Sequence, residues 1–219
     1  MGRTAAILDR TLAGARLSEA DAVTLLEEGN LLALGAAAQE VRNRRTDPSV
    51  ATYIVDRNIN YTNVCVYRCQ FCAFYRPSAE HPEAYVLSHE QIGEKIQETI
   101  DLGGTGVLLQ GGVHAGLPFE FYEDMFRYIR TTFPSIHLHA LSAPEVYFLQ
   151  KLTKKPMRDV VARLKDAGLQ SIPGGGAEIL EDSVGKRIWS LTKSPTQKGV
   201  DVHESAPGVG MRTTATLWC

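Results

Sequence analysis

Cys65-Val66-Tyr67-Arg68-Cys69-Gln70-Phe71-Cys72 is the stretch whose reading decides the fold. It gathers three of the chain's four cysteines within eight residues, spaced C-x3-C-x2-C, with an aromatic residue just before the last. A four-iron cubane needs one outer ligand on each iron, and thiolates are the usual ones. Three thiolates hold three irons and leave the fourth open to a ligand from outside. A structural zinc site is the alternative. It needs a fourth protein ligand to close a tetrahedron, and Cys219, His81 or His89 would have to supply it. A disulfide set fits poorly, because a cluster of three leaves one thiol unpaired and nothing marks the chain as secreted. The cluster is the favoured reading.

Outward from this loop, Arg57-Asn58-Ile59-Asn60-Tyr61-Thr62-Asn63-Val64 leads into it and Ala73-Phe74-Tyr75-Arg76 leads out. Further on come Leu108-Leu109-Gln110-Gly111-Gly112-Val113 and Ser171-Ile172-Pro173-Gly174-Gly175-Gly176-Ala177-Glu178-Ile179-Leu180. In order and spacing these motifs resemble the radical S-adenosylmethionine superfamily. Within it they resemble the cyclic dehypoxanthinyl futalosine synthase family, the cyclases of the futalosine route to menaquinone. The resemblance runs over roughly residues 10 to 217.

The resemblance implies a 4Fe–4S cluster on Cys65, Cys69 and Cys72, with S-adenosyl-L-methionine on the open iron. Phe71, and with it Tyr75, matches the aromatic position near the adenine. Gly111-Gly112 matches the motif at the methionyl amino group, although Val113 follows where the superfamily often has an acidic residue. Glu178 would accept hydrogen bonds from the ribose hydroxyls. Ser142, with Glu145, lies where a strand should end, which makes it a candidate for the cofactor cavity; a helix N-terminal charge is the other reading of Glu145.

The implied reaction cyclises dehypoxanthinyl futalosine, a small nucleoside-type substrate. The deoxyadenosyl radical removes a ribose hydrogen, the substrate radical attacks the benzoate ring, and loss of an electron and a proton restores aromaticity. An electron donor such as flavodoxin or ferredoxin would serve it. No general base stands out. The sister aminofutalosine synthase is one alternative, and a non-catalytic zinc- or cluster-binding fragment is another.

Composition agrees with a folded soluble chain. It has 219 residues, 44% hydrophobic and 22% charged, with a formal net charge of −2. No basic surplus points to nucleic acid or an anionic membrane. No apolar run is long enough to span a bilayer, and no signal peptide is evident. An oxygen-sensitive cluster on reduced thiolates fits the cytoplasm.

Periodicity predicts helices over residues 4–46, with Ser18 and Asp21 as a capping box. Strand-like residues 51–62, with Tyr53-Ile54-Val55 and Ile59 to Thr62, then deliver the chain into the cysteine loop, and the polar Arg57, Asn58, Asn60 and Thr62 suit a cavity or a wet sheet end. After the loop, helices at about 89–102, opened by a capping box of Ser88 and Gln91, 120–132 and 157–167 alternate with strands at 105–110, 136–142 and from 171. His137 and His139 share one face of their strand; hydrogen bonding is favoured over a metal. Such alternation implies a parallel sheet, which the resemblance makes a partial (β/α) TIM-like barrel. The expected division is a helical segment at 1–48 and an incomplete barrel of about five strands at 49–219. Residues 184–210 should carry the next helix if the alternation holds, but Pro195, Gly199, Pro207, Gly208 and Gly210 mean that either this helix is short or the region has drifted. Family members continue well past Cys219, so a C-terminally truncated chain is expected.

Overall fold

The computed structural model describes residues 2–175, 179–188 and 193–217. The chain divides into two compact units, Met1–Tyr53 and Ile54–Cys219. The first holds α1 (Arg3–Leu12), α2 (Glu19–Glu28) and α3 (Leu31–Asn43). Ser18 Oγ accepts the Asp21 N–H at 3.1 Å while the Asp21 carboxylate accepts the Ser18 N–H at 3.3 Å. Two otherwise unpaired donors at the start of α2 are thereby satisfied. Asn30 caps α3 through the N–H groups of Leu32 and Ala33. No residue of α3 is buried.

The second unit is built on five parallel strands in the order β1 (Asp56–Asn60), β2 (Gly106–Gln110), β3 (His137–Ala140), β4 (Ser171–Ile172) and β5 (Arg212–Thr213). Parallel neighbours require a crossover between strands. The crossovers carry α4 (His89–Asp101), α5 (Phe119–Thr132), α6 (Ala143–Thr153), α7 (Met157–Ala167), α8 (Asp182–Ile188) and α9 (Thr196–Ser205). This is the α/β arrangement of a partial (β/α) barrel. One face of the sheet is dry. Ile59, Val107, Leu109, Leu138 and Ala140 are buried and join Ile92, Ile96, Tyr122, Met125, Phe126, Ile129, Val160 and Leu164 from the helices in one core.

The opposite face is polar. Asn58 and His137 are exposed, and Asn60 and His139 half-buried, at positions alternating with the core residues. Arg57 belongs to the helix side instead, where its guanidinium reaches Lys95 O at 3.2 Å and Glu98 on α4. The polar residues ahead of the cysteine loop thus divide between the two faces by the period of two that any strand imposes.

Three local readings shift. The strand signal before the cysteines narrows to β1, leaving Ile54 and Val55 outside it. β3 is short because the chain turns out at Leu141, whose φ of 58° is left-handed; for a leucine this conformation costs about 1 kcal/mol. That turn starts α6, which periodicity had not delimited. Residues 184–210 hold helix in short pieces, which is the first of the two alternatives the sequence left. Pro195 sits at the N-cap of α9 and Pro207 opens a separate 3-10 turn, so neither proline interrupts a helix. Gly199 is buried, and a Cβ there would stand 4.0 Å from that of Ala143 on α6.

Candidate metal centre

β1 and β2 end side by side, and the cysteine loop is stitched onto that end. The N–H of Cys65 donates to Arg76 O at 2.9 Å, and the N–H of Arg76 donates to Asn63 O at 2.7 Å, so the loop's entry and exit are tied together. The N–H of Val66 donates to Val113 O at 2.9 Å, just beyond β2, and the N–H of Gln70 to Ile188 O at 3.1 Å. Inside the loop, the N–H of Cys72 donates to Cys69 O at 3.1 Å. Arg68, between the first two cysteines, takes a left-handed φ of 46°. Such strain in a non-glycine residue persists only where surrounding structure imposes it.

Tyr67 fills the space beneath the loop. It is buried and its hydroxyl donates to Pro144 O at 3.3 Å. Burial, then the neighbouring Tyr147, Cys65 and Cys69, push its phenol well above the ordinary range. It stays neutral beside the thiols.

Gly111 and Gly112 have packing reasons to be glycine. A Cβ on Gly112 would meet Val64 O at 2.2 Å and Cys65 Cβ at 3.0 Å; one on Gly111 would meet the Tyr61 ring at 2.6 Å. Real Cβ contacts this short essentially do not occur, so the pair lets the cysteine loop lie directly on β2. Their N–H groups are already used, that of Gly112 by Thr62 O at 2.8 Å and that of Gly111 by Glu145 at 3.1 Å.

Glu145 is the hub of this end of the sheet. It is fully buried near the start of α6, and its carboxylate accepts four hydrogen bonds. They come from Tyr61 Oη (2.6 Å), the Gly111 N–H (3.1 Å), the Ser142 N–H (2.7 Å) and Ser142 Oγ (2.5 Å). Burial pushes its carboxyl up from the ordinary range, while the bonds from Ser142, Tyr61 and Gly111 pull it back. One side chain therefore fastens β1, β2 and α6 together under the loop. Of the two sequence readings of Glu145, the helix N-terminal one is seen, since it completes a capping box with Ser142.

The residues fit an iron–sulfur cluster by the chemistry of their donors. Cys65, Cys69 and Cys72 are each half-buried, and none is in a disulfide. A structural zinc site needs a fourth protein ligand to close its tetrahedron, whereas three thiolates suit a four-iron cluster that keeps one iron open. The histidines proposed as zinc ligands have other partners. His89 stacks on Tyr128 with ring centroids 5.0 Å apart, and His81 Nδ1 accepts the Glu83 N–H at 3.2 Å.

The remaining candidates divide. Phe71 is exposed on the loop with the Lys193 ammonium 5.3 Å from its ring centroid. Tyr75 is half-buried at the loop's exit. Ser142 is spent on Glu145 and the start of α6. In the glycine triplet, a Cβ on Gly174 would meet Thr216 N at 2.5 Å, so its close approach is to the backbone after β5. Gly176, Glu178 and Cys219 lie outside the described residues. Sequence reasoning missed Tyr61 and Tyr67. The signal was present, since an aromatic hydroxyl in a core segment needs a buried partner, but the sequence does not say which partner.

The family model described as the radical SAM superfamily matches residues 59–218. The cyclic dehypoxanthine futalosine synthases of Halalkalibacterium halodurans and Streptomyces coelicolor are 41% and 39% identical over 96% of this chain. A 5-amino-6-(D-ribitylamino)uracil–L-tyrosine 4-hydroxyphenyl transferase from Nostoc sp. is 35% identical over 96% of it. The chain covers 56%, 53% and 55% of these relatives, about half their length. Among solved structures, the FeFe-hydrogenase maturase HydG of Carboxydothermus hydrogenoformans superposes over 95% of this chain and 46% of its own, with a TM-score of 0.65 at 18% identity; at that identity the likeness is one of fold. A cysteine triad set on the end of a parallel sheet, inside a segment that the family model matches from β1 onward, leads to one assignment: this chain belongs to the radical SAM superfamily.

Proposed function

We propose that this chain is the cluster-bearing part of an enzyme that cyclises dehypoxanthinyl futalosine on the route to menaquinone. The observation that carries the reading is the 41% identity to a cyclic dehypoxanthine futalosine synthase over 96% of the chain, with the cysteine loop inside the matched span. When bound, the cluster and S-adenosylmethionine supply a 5′-deoxyadenosyl radical. The chain's own residues do the rest. Cys65, Cys69 and Cys72 are the thiolate ligands. Phe71 and Tyr75 offer aromatic faces to the adenine, Gly111 and Gly112 keep the loop against β2, and Glu178 is the acceptor for ribose hydroxyls. Tyr67 and Tyr61 fill the space under the loop and exclude water from that side. Asn58, Asn60 and Gln110 present polar groups on the open face for a nucleoside-type substrate. Flavodoxin or ferredoxin is the proposed electron donor and the cytoplasm the proposed compartment, where thiols stay reduced. No described helix is long and apolar enough to cross a membrane.

The test is anaerobic reconstitution with iron and sulfide, followed by separate incubations with S-adenosylmethionine, reductant and each candidate substrate. Cyclised product from dehypoxanthinyl futalosine is expected. Product only from the aminofutalosine synthase substrates, or only from tyrosine with 5-amino-6-(D-ribitylamino)uracil, would reject the cyclase reading.

A further inference from the structure

The Gln70 N–H donates to Ile188 O at 3.1 Å, and this bond sets the last turn of α8 against the cysteine loop. The two stretches joined there are alike in charge. Residues 58–79 and 183–200 contain Arg68, Arg76, Lys186, Arg187, Lys193 and Lys198 and no Asp or Glu, in a chain whose formal net charge is −2. Some of these cations are compensated. Arg76 pairs with Glu83, Lys198 pairs with Asp201, and the Lys193 ammonium lies over the Phe71 ring. Arg68, Lys186 and Arg187 are exposed, and none of them forms an ion pair among the described residues. The Arg68 guanidinium donates to Pro77 O at 3.5 Å, a neutral acceptor that leaves its charge uncompensated. Phe71 and Phe74 are exposed on the same loop. A basic last turn suits the dipole of α8 itself, but Arg68 stands on a separate segment and takes nothing from it.

We infer that this patch is the docking surface for the electron donor, a small acidic redox protein, with Phe71 and Phe74 as its apolar part and Arg68, Lys186 and Arg187 as its charged part. The inference rests on the cluster reading under Proposed function, which puts the electron's destination on the same loop. Transient redox partners meet over small areas, below about 1,200 Å², so a few side chains suffice. Opposite charge steers the encounter and raises its rate by about 10- to 1,000-fold. Aromatic residues and arginine are the types that interfaces favour. The step moves one electron: the donor is oxidised by one, the cluster is reduced by one, and no bond is made or broken. Nucleic acid fits the patch less well, because it calls for a broad basic footprint and this chain is acidic overall.

Isotope-labelled flavodoxin is the probe, titrated by NMR with the chain before any iron is added. Saturable binding is expected at about 0.1 M salt and its loss at about 1 M, where charges are screened beyond about 3 Å. The double variant Lys186→Glu with Arg187→Glu should weaken binding at least about tenfold at the lower salt. The same charge change at the far end of α6, Lys151→Glu with Lys155→Glu, should alter it less than about twofold. All four positions are exposed, so neither variant threatens the fold. After reconstitution, the Lys186 and Arg187 variant should be reduced more slowly by flavodoxin and at the wild-type rate by photoexcited deazaflavin, an uncharged small molecule. Equal slowing with both reductants would mean that the cations act on the cluster itself, and would overturn the docking surface. So would flavodoxin binding that ignores the charge reversal, or no flavodoxin binding while a duplex oligonucleotide binds through the same cations. Flavodoxin docking without cyclised product breaks the cyclase reading alone; cyclised product with docking indifferent to Lys186 and Arg187 breaks this surface alone.

Discussion

The two ends of the same sheet are built in opposite ways. At the C-terminal end, Tyr61, Gly111, Gly112, Ser142 and Glu145 are locked by short hydrogen bonds and contacts too close for any larger residue. At the N-terminal end, Asp56, His137 and Arg212 stand exposed around an open cavity. The difference teaches where each kind of task is done. A cluster loop must be held at one position before its cofactor arrives, and pre-formed packing achieves that. The open face instead leaves its polar groups in water. Substitutions at the locked end should therefore cost stability, and those at the open end should cost less.

Glu145→Ala is the sharpest way to break this contrast. It leaves the Tyr61 hydroxyl and the N–H groups of Gly111 and Ser142 without an acceptor and opens a cavity. A loss of about 3–4 kcal/mol is expected, read as a shift in urea midpoint. An effect below about 1 kcal/mol would mean that the hub is not a hub. Gly112→Ala follows, at about 2–3 kcal/mol from overpacking against Val64 and Cys65. It should also lower iron uptake on reconstitution, because the added methyl pushes on the cysteine loop itself. Tyr61→Phe keeps the ring and deletes one donor to Glu145, and should cost about 1 kcal/mol.

At the open end, His139→Asn should cost about 1 kcal/mol at neutral pH through the lost contact with Ser171. Its pH signature is more informative. Burial, then the adjacent His137, hold His139 below its ordinary 6.5. As pH falls through 6.5 the unfolded chain binds a proton before the folded chain does, so stability present above 6.5 is lost on acidification down to the folded value. Urea unfolding on both sides of 6.5 should show this slope in the wild type and a weaker one in His139→Asn. Equal slopes would remove His139 from the account.

Much of this was legible from residue order. The alternation of helix and strand, the capping boxes at Ser18 and Ser88 and the loop at Cys65 to Cys72 follow from local chemistry, which a sequence displays directly. What was not legible depends on contacts between distant segments. Nothing near Gly111 announces that the Tyr61 ring lies against it, and nothing near Glu145 names Tyr61, 84 positions away, as its donor. The glycine pair was read as a place for a ligand to approach. The close approach of Tyr61, Val64 and Cys65 adds a packing role beside that one, which the resemblance could not reveal. Likewise Pro195 and Pro207 looked like helix breakers because a sequence does not show whether a proline stands inside a helix or at its edge.

The most direct test of the central claim is an iron and sulfide count after anaerobic reconstitution of the chain and of its Cys65→Ser, Cys69→Ser and Cys72→Ser variants. The account predicts about four irons per chain in the wild type and loss of most of that iron in each variant. A colourless protein carrying a single zinc, or iron uptake indifferent to all three substitutions, would contradict it.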